Sequence, residues 1–388
     1  MLLSQYFKKF FHSSQSSGIL LIFCVILSLF IANSPFGISF QNILDTKIGS
    51  ENLHLQYPIS VWINDGLMAI FFLLVGLEIK RELLEGELSN FKSASLPIIA
   101  AIGGMLIPAI IFTSLNFSTE FSKGWAIPMA TDIAFSLAII SLFGKKLPAS
   151  LKIFLAALAI ADDLGAILVI AIFYTGEIHW NYLLFSLLIL VLLFIFNFLK
   201  IKKIIFYLVP GFFLWFCMHH SGIHATIAGV LLAFTIPTNI SKTEISSLEK
   251  LESKLHFPVN FLIMPIFALA NTNIFINSGI SSALTSTLGL GIIFGLFFGK
   301  VLGINLFSFL SIKLKISKLP ENSNWQQMIG VGFLAGIGFT MSIFIALLSF
   351  NQFPEIQDEA KLSILVASVL SGIIGFLLLK FSTKNQNF

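Results

Sequence analysis

The stretch ALAIADDLGAILVIAIF, residues 157–173, is apolar on both sides of an adjacent acid pair, Asp162 and Asp163. A helix built only to sit in a greasy environment has no use for two carboxylates at its centre. The rest of the chain decides how the pair is read. Of 388 residues, 56% are hydrophobic and only 11% are charged, and the mean hydropathy is +0.94. A soluble domain carries roughly 25% charged residues. The chain therefore reads as an all-α polytopic membrane protein, and the pair sits at membrane depth.

Apolar runs long enough to cross a bilayer recur along the sequence, and hydropathy reading gives about 12 of them. They begin near Gly18, Ile59, Ala94, Phe121, Leu151, Tyr182, Ile205, Ile223, Leu255, Leu288, Met328 and Leu362. Among the 23 Lys and Arg residues, Lys300 lies inside a span, and only Lys47, Lys123 and Lys361 fall on one set of alternating loops. The others, including Lys8, Lys80, Arg81, Lys145, Lys146, Lys200, Lys202, Lys203, Lys242, Lys313, Lys315 and Lys384, fall on the opposite set. By the positive-inside rule that set and both termini are cytoplasmic. The net charge of +4 is thus a topology signal, and no nucleic-acid partner is expected. Cys24 and Cys217 read as small buried hydrophobes, without a C-x-x-C motif.

No soluble domain is visible, so residues 1–388 form a single transmembrane domain. Its longest outer connection runs over about 33–58, where ENLHLQYPIS (51–60) alternates like a strand around Leu53, Leu55 and Tyr57, which suggests a small outer β-hairpin. The cytoplasmic segment SKTEISSLEKLESKLHFP (241–258) reads as a charged helix leading into a span.

Two spans read as interrupted. GWAIPMATDIAFSLAII (124–140) carries Pro128, Thr131 and Asp132 in mid-membrane, and MIGVGFLAGIGFTMSIFIALL (328–348) carries four glycines. Proline removes a backbone donor and clashes with the preceding turn. Unwound backbone at this depth survives only where protein or a wet cavity satisfies it. Such a pair in the two halves of the chain points to an inverted-repeat secondary transporter. In LGLGIIFGLFFGKVLGINLF (288–307), glycines recur every fourth residue from Gly291 to Gly303, a stripe that admits a close neighbour, with Lys300 beside it.

A charge at the bilayer centre costs at least roughly 2.5–3.5 kcal/mol. Asp132, Asp162, Asp163 and Lys300 must therefore share a polar interior. One reading of the acid pair is a structural ion pair. The other is a site for a hard cation, Na⁺ or Li⁺, and for protons, since carboxylate oxygens suit both. Burial, the neighbouring carboxylate and a nearby lysine act in opposing senses, and the two acids titrate as one unit. Cation and protons then compete for the same oxygens. Antiport follows if the site faces one side at a time. Neighbouring residues project about 100° apart on a helix, so one acid can hold the cation while the other pairs with Lys300. Asp132 and Lys300 also suit a second task, offsetting the partial charges of broken helix ends. Asp132 is read either as that compensator or as a direct ligand, and Thr131 either supplies an oxygen or caps the break. Asp65 reads as a helix cap or interfacial group.

On the cytoplasmic side, Glu78, Arg81, Glu82 and Glu85 share helical spacing, and Glu249, Glu252 and His256 follow the same pattern in LEKLESKLH. Ordinary ion pairs at a solvated helix end would account for them. A cluster at a cytoplasmic mouth that senses protons through His256 is the alternative. HHSGIH (219–224) gathers three histidines without credible zinc spacing.

With these residues in place, the chain resembles the NhaA-type Na⁺/H⁺ antiporter family. The matching runs are WINDGLMAIFFLLVGLEIKREL, PIIAAIGGMLIPA, GWAIPMATDIAFSLA, LKIFLAALAIADDLGAI, SGIHATIAGV, FALANT, GLFFGKVLGI and GIGFTMSIFIALL, in order along nearly the whole sequence. The resemblance implies electrogenic, pH-regulated exchange of more than one H⁺ per Na⁺ or Li⁺, in a homodimer held partly by the outer hairpin, in the bacterial inner membrane. It implies two discontinuous helices crossing at mid-membrane, and it makes Asp163 the principal cation ligand, Asp162 the acid paired with Lys300, and Asp132, Thr131 and Lys300 parts of that crossing. It places Glu78, Arg81, Glu82, Glu252 and His256 at a pH-responsive entrance. Ser253 departs from the best-known members, in which a His follows the acid matching Glu252. Partners are then Na⁺, Li⁺, H⁺, the lipid bilayer and a second copy of the chain. No cofactor is expected, and with no nucleotide-binding loop or catalytic triad the chain does not read as an enzyme. Rival readings are an organic-anion symporter on a related fold, a channel, and a membrane receptor or scaffold.

Overall fold

The computed structural model describes residues 14–238, 245–276 and 280–384. Lys8, Lys9, His12 and Lys242 lie outside the described residues. Two short strands, β1 (Lys47–Ile48) and β2 (Tyr57–Pro58), pair antiparallel, and the rest of the regular structure is helical.

The helices are α1 (Ser14–Ala32), α2 (Gly37–Asp45), α3 (Ile59–Leu84), α4 (Phe91–Asn116), α5 (Ile133–Ser141), α6 (Ala149–Phe173), α7 (Trp180–Phe198), α8 (Ile205–Ser221) and α9 (Ile227–Thr235). They continue with α10 (Ser247–Asn271), α11 (Ile280–Thr285), α12 (Thr287–Lys313), α13 (Trp325–Ala335), α14 (Phe339–Ser349) and α15 (Pro354–Lys384). Among the described residues, eight helices are long and apolar enough to cross a membrane, or ten if each of two bent pairs counts as one span. The bent pairs are α1 with α2, at 109°, and α13 with α14, at 43°. The sequence reading of about 12 spans exceeds this because it counts α8 and α9 as well. At 1.5 Å per residue a nine-residue helix such as α9 covers only about 14 Å.

The connection over about 33–58 differs from expectation in detail. Leu53 belongs to a 3-10 turn, Glu51–Leu53, and not to a strand. His54 takes a left-handed conformation, φ 51°, and its amide donates back to Glu51 O, so the chain closes on itself before it can extend. Only Ile48 and Tyr57, with Lys47 and Pro58, pair across the hairpin, and Trp62 Nε1 donates to Ile48 O at 3.1 Å to hold it. Residues 37–45, read as loop, form α2.

The chain packs as two compact units, each drawn from separate sequence segments. One comprises Met1–Leu29, Glu87–Ala166 and Ile274–Phe388, and the other Phe30–Gly86 and Ile167–Asn273. In the first unit the glycine stripe of α12 lies against α4. A Cβ on Gly303 would come within 2.1 Å of Gly103 O, so the two backbones touch where no side chain fits. About two turns earlier, Gly295 meets Pro128. The stripe thus brings Lys300 to the interrupted segment around Pro128. In the second unit α7 keeps Leu184, Phe185, Leu187 and Leu188 exposed, an apolar surface suited to lipid.

Candidate ion-binding site

Both interrupted spans are broken where the sequence places the proline and glycines. A 3-10 segment, Glu120–Met129, gives way to extended residues before α5 begins at Ile133. In the second span α13 ends at Ala335 and α14 begins at Phe339. Each break exposes carbonyls from the segment that ends and amides from the segment that begins. Neither can be left unsatisfied in an apolar interior.

The two breaks satisfy each other. Asp132 N donates to Ile337 O at 2.6 Å. Thr131 Oγ1 donates to Ala335 O and Ser136 Oγ to Leu334 O, both at 2.7 Å, which covers the carbonyl end of α13. In return Ser342 Oγ donates to Ile127 O at 2.7 Å, covering the end of the 3-10 segment. The amide ends converge on one carboxylate. Asp132 Oδ1 accepts from Phe135 N at 3.1 Å, capping α5. Its Oδ2 accepts from Thr340 N at 3.0 Å and Thr340 Oγ1 at 2.5 Å, in the first turn of α14. Phe339 N, at the same turn, donates to Ser368 Oγ of α15. Anions are stabilised at helix N-termini, so Asp132 occupies the place that chemistry favours. The carbonyl ends fall to hydroxyls, and Lys300 does not take them.

Lys300 follows a π-helical turn, Gly295–Gly299, an irregularity that often marks functional positions. Its ammonium donates to Asp162 Oδ2 at 2.5 Å, with both side chains buried. Thr131 lies next to the Asp162 carboxylate, its hydroxyl proton being given to Ala335 O. Asp163, the next residue of α6, is buried as well. Thr131, Asp132, Asp162, Asp163 and Lys300 therefore all belong to the first unit, where the crossing and the ion pair lie. Thr340, Ser136, Ser342 and Ser368 were not singled out from sequence. Nothing local separates them from hydroxyls that bond to their own helix.

The cluster of Glu78, Arg81, Glu82, Glu252 and His256 belongs to the second unit. Arg81 Nε sits 3.2 Å from Glu252 Oε2, and Arg81 Nη2 lies 3.2 Å from Glu82 Oε1. His256 Nε2 is 3.6 Å from Glu78 Oε1, and Asn260 Nδ2 approaches its Nδ1 at 2.7 Å. All five expected residues are gathered there. Glu249 is not among them: it closes a capping box with Ser246 at the start of α10. Ser253 is exposed and donates to Lys250 O.

Asp65 departs from a simple helix cap. It lies in a π-helical stretch, Trp62–Leu67, with His219 Nδ1 at 3.5 Å and His224 Nε2 at 3.7 Å from its carboxylate. Trp215 Nε1 donates to its backbone carbonyl. Among the described residues no group of three or more His, Cys, Asp or Glu is arranged to hold a metal ion.

Comparison with known proteins agrees in extent with this architecture. The chain is 57% identical to Na(+)/H(+) antiporter NhaA 2 of Flavobacterium johnsoniae over 383 residues, covering 98% of this chain and 93% of the relative. It is 53% identical to Na(+)/H(+) antiporter NhaA of Flavobacterium psychrophilum, covering 98% and 97%. Against the protein of that name from Dechloromonas aromatica it is 50% identical, covering 99% and 98%. The profile of the family described as Na+/H+ antiporter 1 matches residues 8–379. A match of that length, with relatives this similar end to end, makes the chain a member of the Na+/H+ antiporter 1 family.

Proposed function

We propose that this protein exchanges Na⁺ or Li⁺ for H⁺ across the bacterial inner membrane, with more than one proton per cation. The observation that carries the reading is the buried Asp162–Asp163 pair, one acid of which is held by Lys300 at 2.5 Å. Relatives that match nearly the full chain are named as Na⁺/H⁺ antiporters, which supports the same reading.

Asp163 is the principal cation ligand and Asp162 its partner, with Thr131 adding an oxygen. Protons on the pair exclude the cation, and the cation expels protons. Alternating exposure of the site to the two sides of the membrane then couples the two flows. Replacing two protons by one monovalent cation moves net charge, so exchange responds to membrane potential. Asp132 holds the broken helix ends and so fixes the place where the carboxylates meet. The cluster of Glu78, Arg81, Glu82, Glu252 and His256 sets the dependence of activity on cytoplasmic pH. The fold is one of about 12 spans in two inverted repeats, assembled as a homodimer with both termini cytoplasmic.

Sealed vesicles containing the protein and an imposed pH gradient test the reading. Addition of Na⁺ or Li⁺ is expected to collapse the gradient, and K⁺ to leave it intact. A gradient that no cation collapses contradicts antiport.

A further inference from the structure

Helix α9 is nine residues long and ends inside the second unit. The last four carbonyls of any α-helix lack intrahelical partners, and those of α9 cannot reach water at Ile236, which is buried. Three consecutive carbonyls are taken by side chains from two other helices. Lys80 Nζ, from α3, donates to Phe234 O at 2.8 Å and to Ile236 O at 2.5 Å. Asn197 Nδ2, from α7, donates to Thr235 O at 2.6 Å. A cation at a helix C-terminus is the stabilising arrangement, and more so when solvent is excluded. Lys80 is buried, and its ammonium forms no ion pair with a carboxylate among the described residues.

The position of Lys80 on α3 gives this contact a consequence. Successive residues turn about 100° around a helix, so Lys80 lies about 160° from Glu78 and Glu82 and about 100° from Arg81, away from the face those three share. Those three face the cluster that includes Glu252 and His256. The same turn of α3 is thus tied to α9 at its back and carries the cluster at its front. Helices α3 and α9 also touch backbone to backbone: a Cβ on Gly229 would lie 2.2 Å from Ala69 O.

We infer that Lys80 is a positioning residue for the cytoplasmic cluster, fixing the Glu78–Glu82 turn by binding the carbonyl end of α9, with Asn197 as its neutral counterpart on the same end. The inference rests on the proposal that the cluster sets the pH dependence of exchange. Loss of Lys80 frees the turn from α9, and loss of Asn197 loosens the α9 end that Lys80 binds; either changes the geometry of the Glu78–His256 and Arg81–Glu252 contacts.

The test compares pH profiles of Na⁺-driven exchange in vesicles for Lys80→Met, Lys80→Arg, Asn197→Leu and Glu78→Gln, each first shown to be monodisperse in detergent. Asn197→Leu removes an anchor without changing charge, so it separates anchoring from simple loss of a positive group. Lys80→Met and Asn197→Leu are expected to displace the midpoint in the same direction, by about half a pH unit or more. Lys80→Arg, which keeps a cation within reach of the carbonyls, is expected to lie closer to the unaltered protein than Lys80→Met does. If Lys80→Met does not fold, Asn197→Leu alone decides. An unmoved Asn197→Leu midpoint, alongside a displaced Glu78→Gln midpoint, overturns the inference. An unmoved Glu78→Gln midpoint overturns the cluster reading itself, and the role given to Lys80 falls with it.

Discussion

Asp132 and Thr340 are joined twice: the Asp132 carboxylate accepts from both the amide and the hydroxyl of Thr340, while its other oxygen caps Phe135. One side chain therefore serves the starting ends of α5 and α14, which are far apart in sequence. Replacing a capping residue by Ala costs about 1 kcal/mol per cap. Asp132→Ala is expected to destabilise the protein by about 2 kcal/mol or more, because two caps and a hydroxyl partner are lost together. Asp132→Asn, which keeps an acceptor, is expected to cost less. Thermal unfolding in detergent measures both, and equal losses for the two variants would argue against a capping role.

Lys300 and Asp162 form a buried pair, and removing one member strands the other. Asp162→Asn alone is expected to destabilise by about 3–5 kcal/mol, since it leaves an uncompensated ammonium in the interior. Asp162→Asn combined with Lys300→Met is expected to be more stable than Asp162→Asn by itself. Additive losses in that double-mutant comparison would mean that the two groups do not interact as the geometry states.

Gly303 and Gly103 allow α12 and α4 to meet at the backbone. Gly303→Ala is expected to destabilise by roughly 1–3 kcal/mol, the usual range for overpacking, and to displace Lys300, three residues earlier on the same helix. Folded yield and exchange activity should both fall. Wild-type values for both would contradict the close approach.

Competition between cation and protons has a definite sign. As pH falls, more of the carboxylate oxygens carry protons, so the apparent KM for Na⁺ is expected to rise. Each competing proton contributes up to about tenfold per pH unit once the pair is mostly protonated. Initial rates of exchange at several pH values measure this, and a KM that is independent of pH below the activity midpoint would exclude competition.

Much of the crossing was legible in the sequence because its signals are exclusions. Pro128 lacks a helix donor, the glycines of 330–338 weaken a helix by about 1 kcal/mol each, and four intramembrane charges cannot face lipid. Those facts located the breaks and assembled Asp132, Asp162, Asp163 and Lys300. The hydroxyl caps were not legible. A Ser or Thr in an apolar helix commonly bonds to its own preceding turn, and nothing local distinguishes Ser136 or Ser342, which reach across to Leu334 and Ile127. The π-helical turns before Lys300 and around Asp65 also leave no local signature, since they arise from how a helix fits its neighbours. The outer strand was overextended for a related reason: the alternation around Leu53 and Leu55 is real, but the left-handed turn at His54 is decided by the hairpin's closure. Glu249 shares its spacing with Glu252 and His256, and its bonds with Ser246 make it a helix cap.

The most direct test of the central claim is proton release on cation binding to the purified protein in weakly buffered detergent solution, followed with a pH-sensitive dye. Addition of Na⁺ near the activity midpoint is expected to release protons from the protein, and Asp163→Asn is expected to release few or none while remaining folded. Na⁺ binding without proton release, or full release from Asp163→Asn, would contradict a site at which Asp162 and Asp163 are shared between the cation and protons.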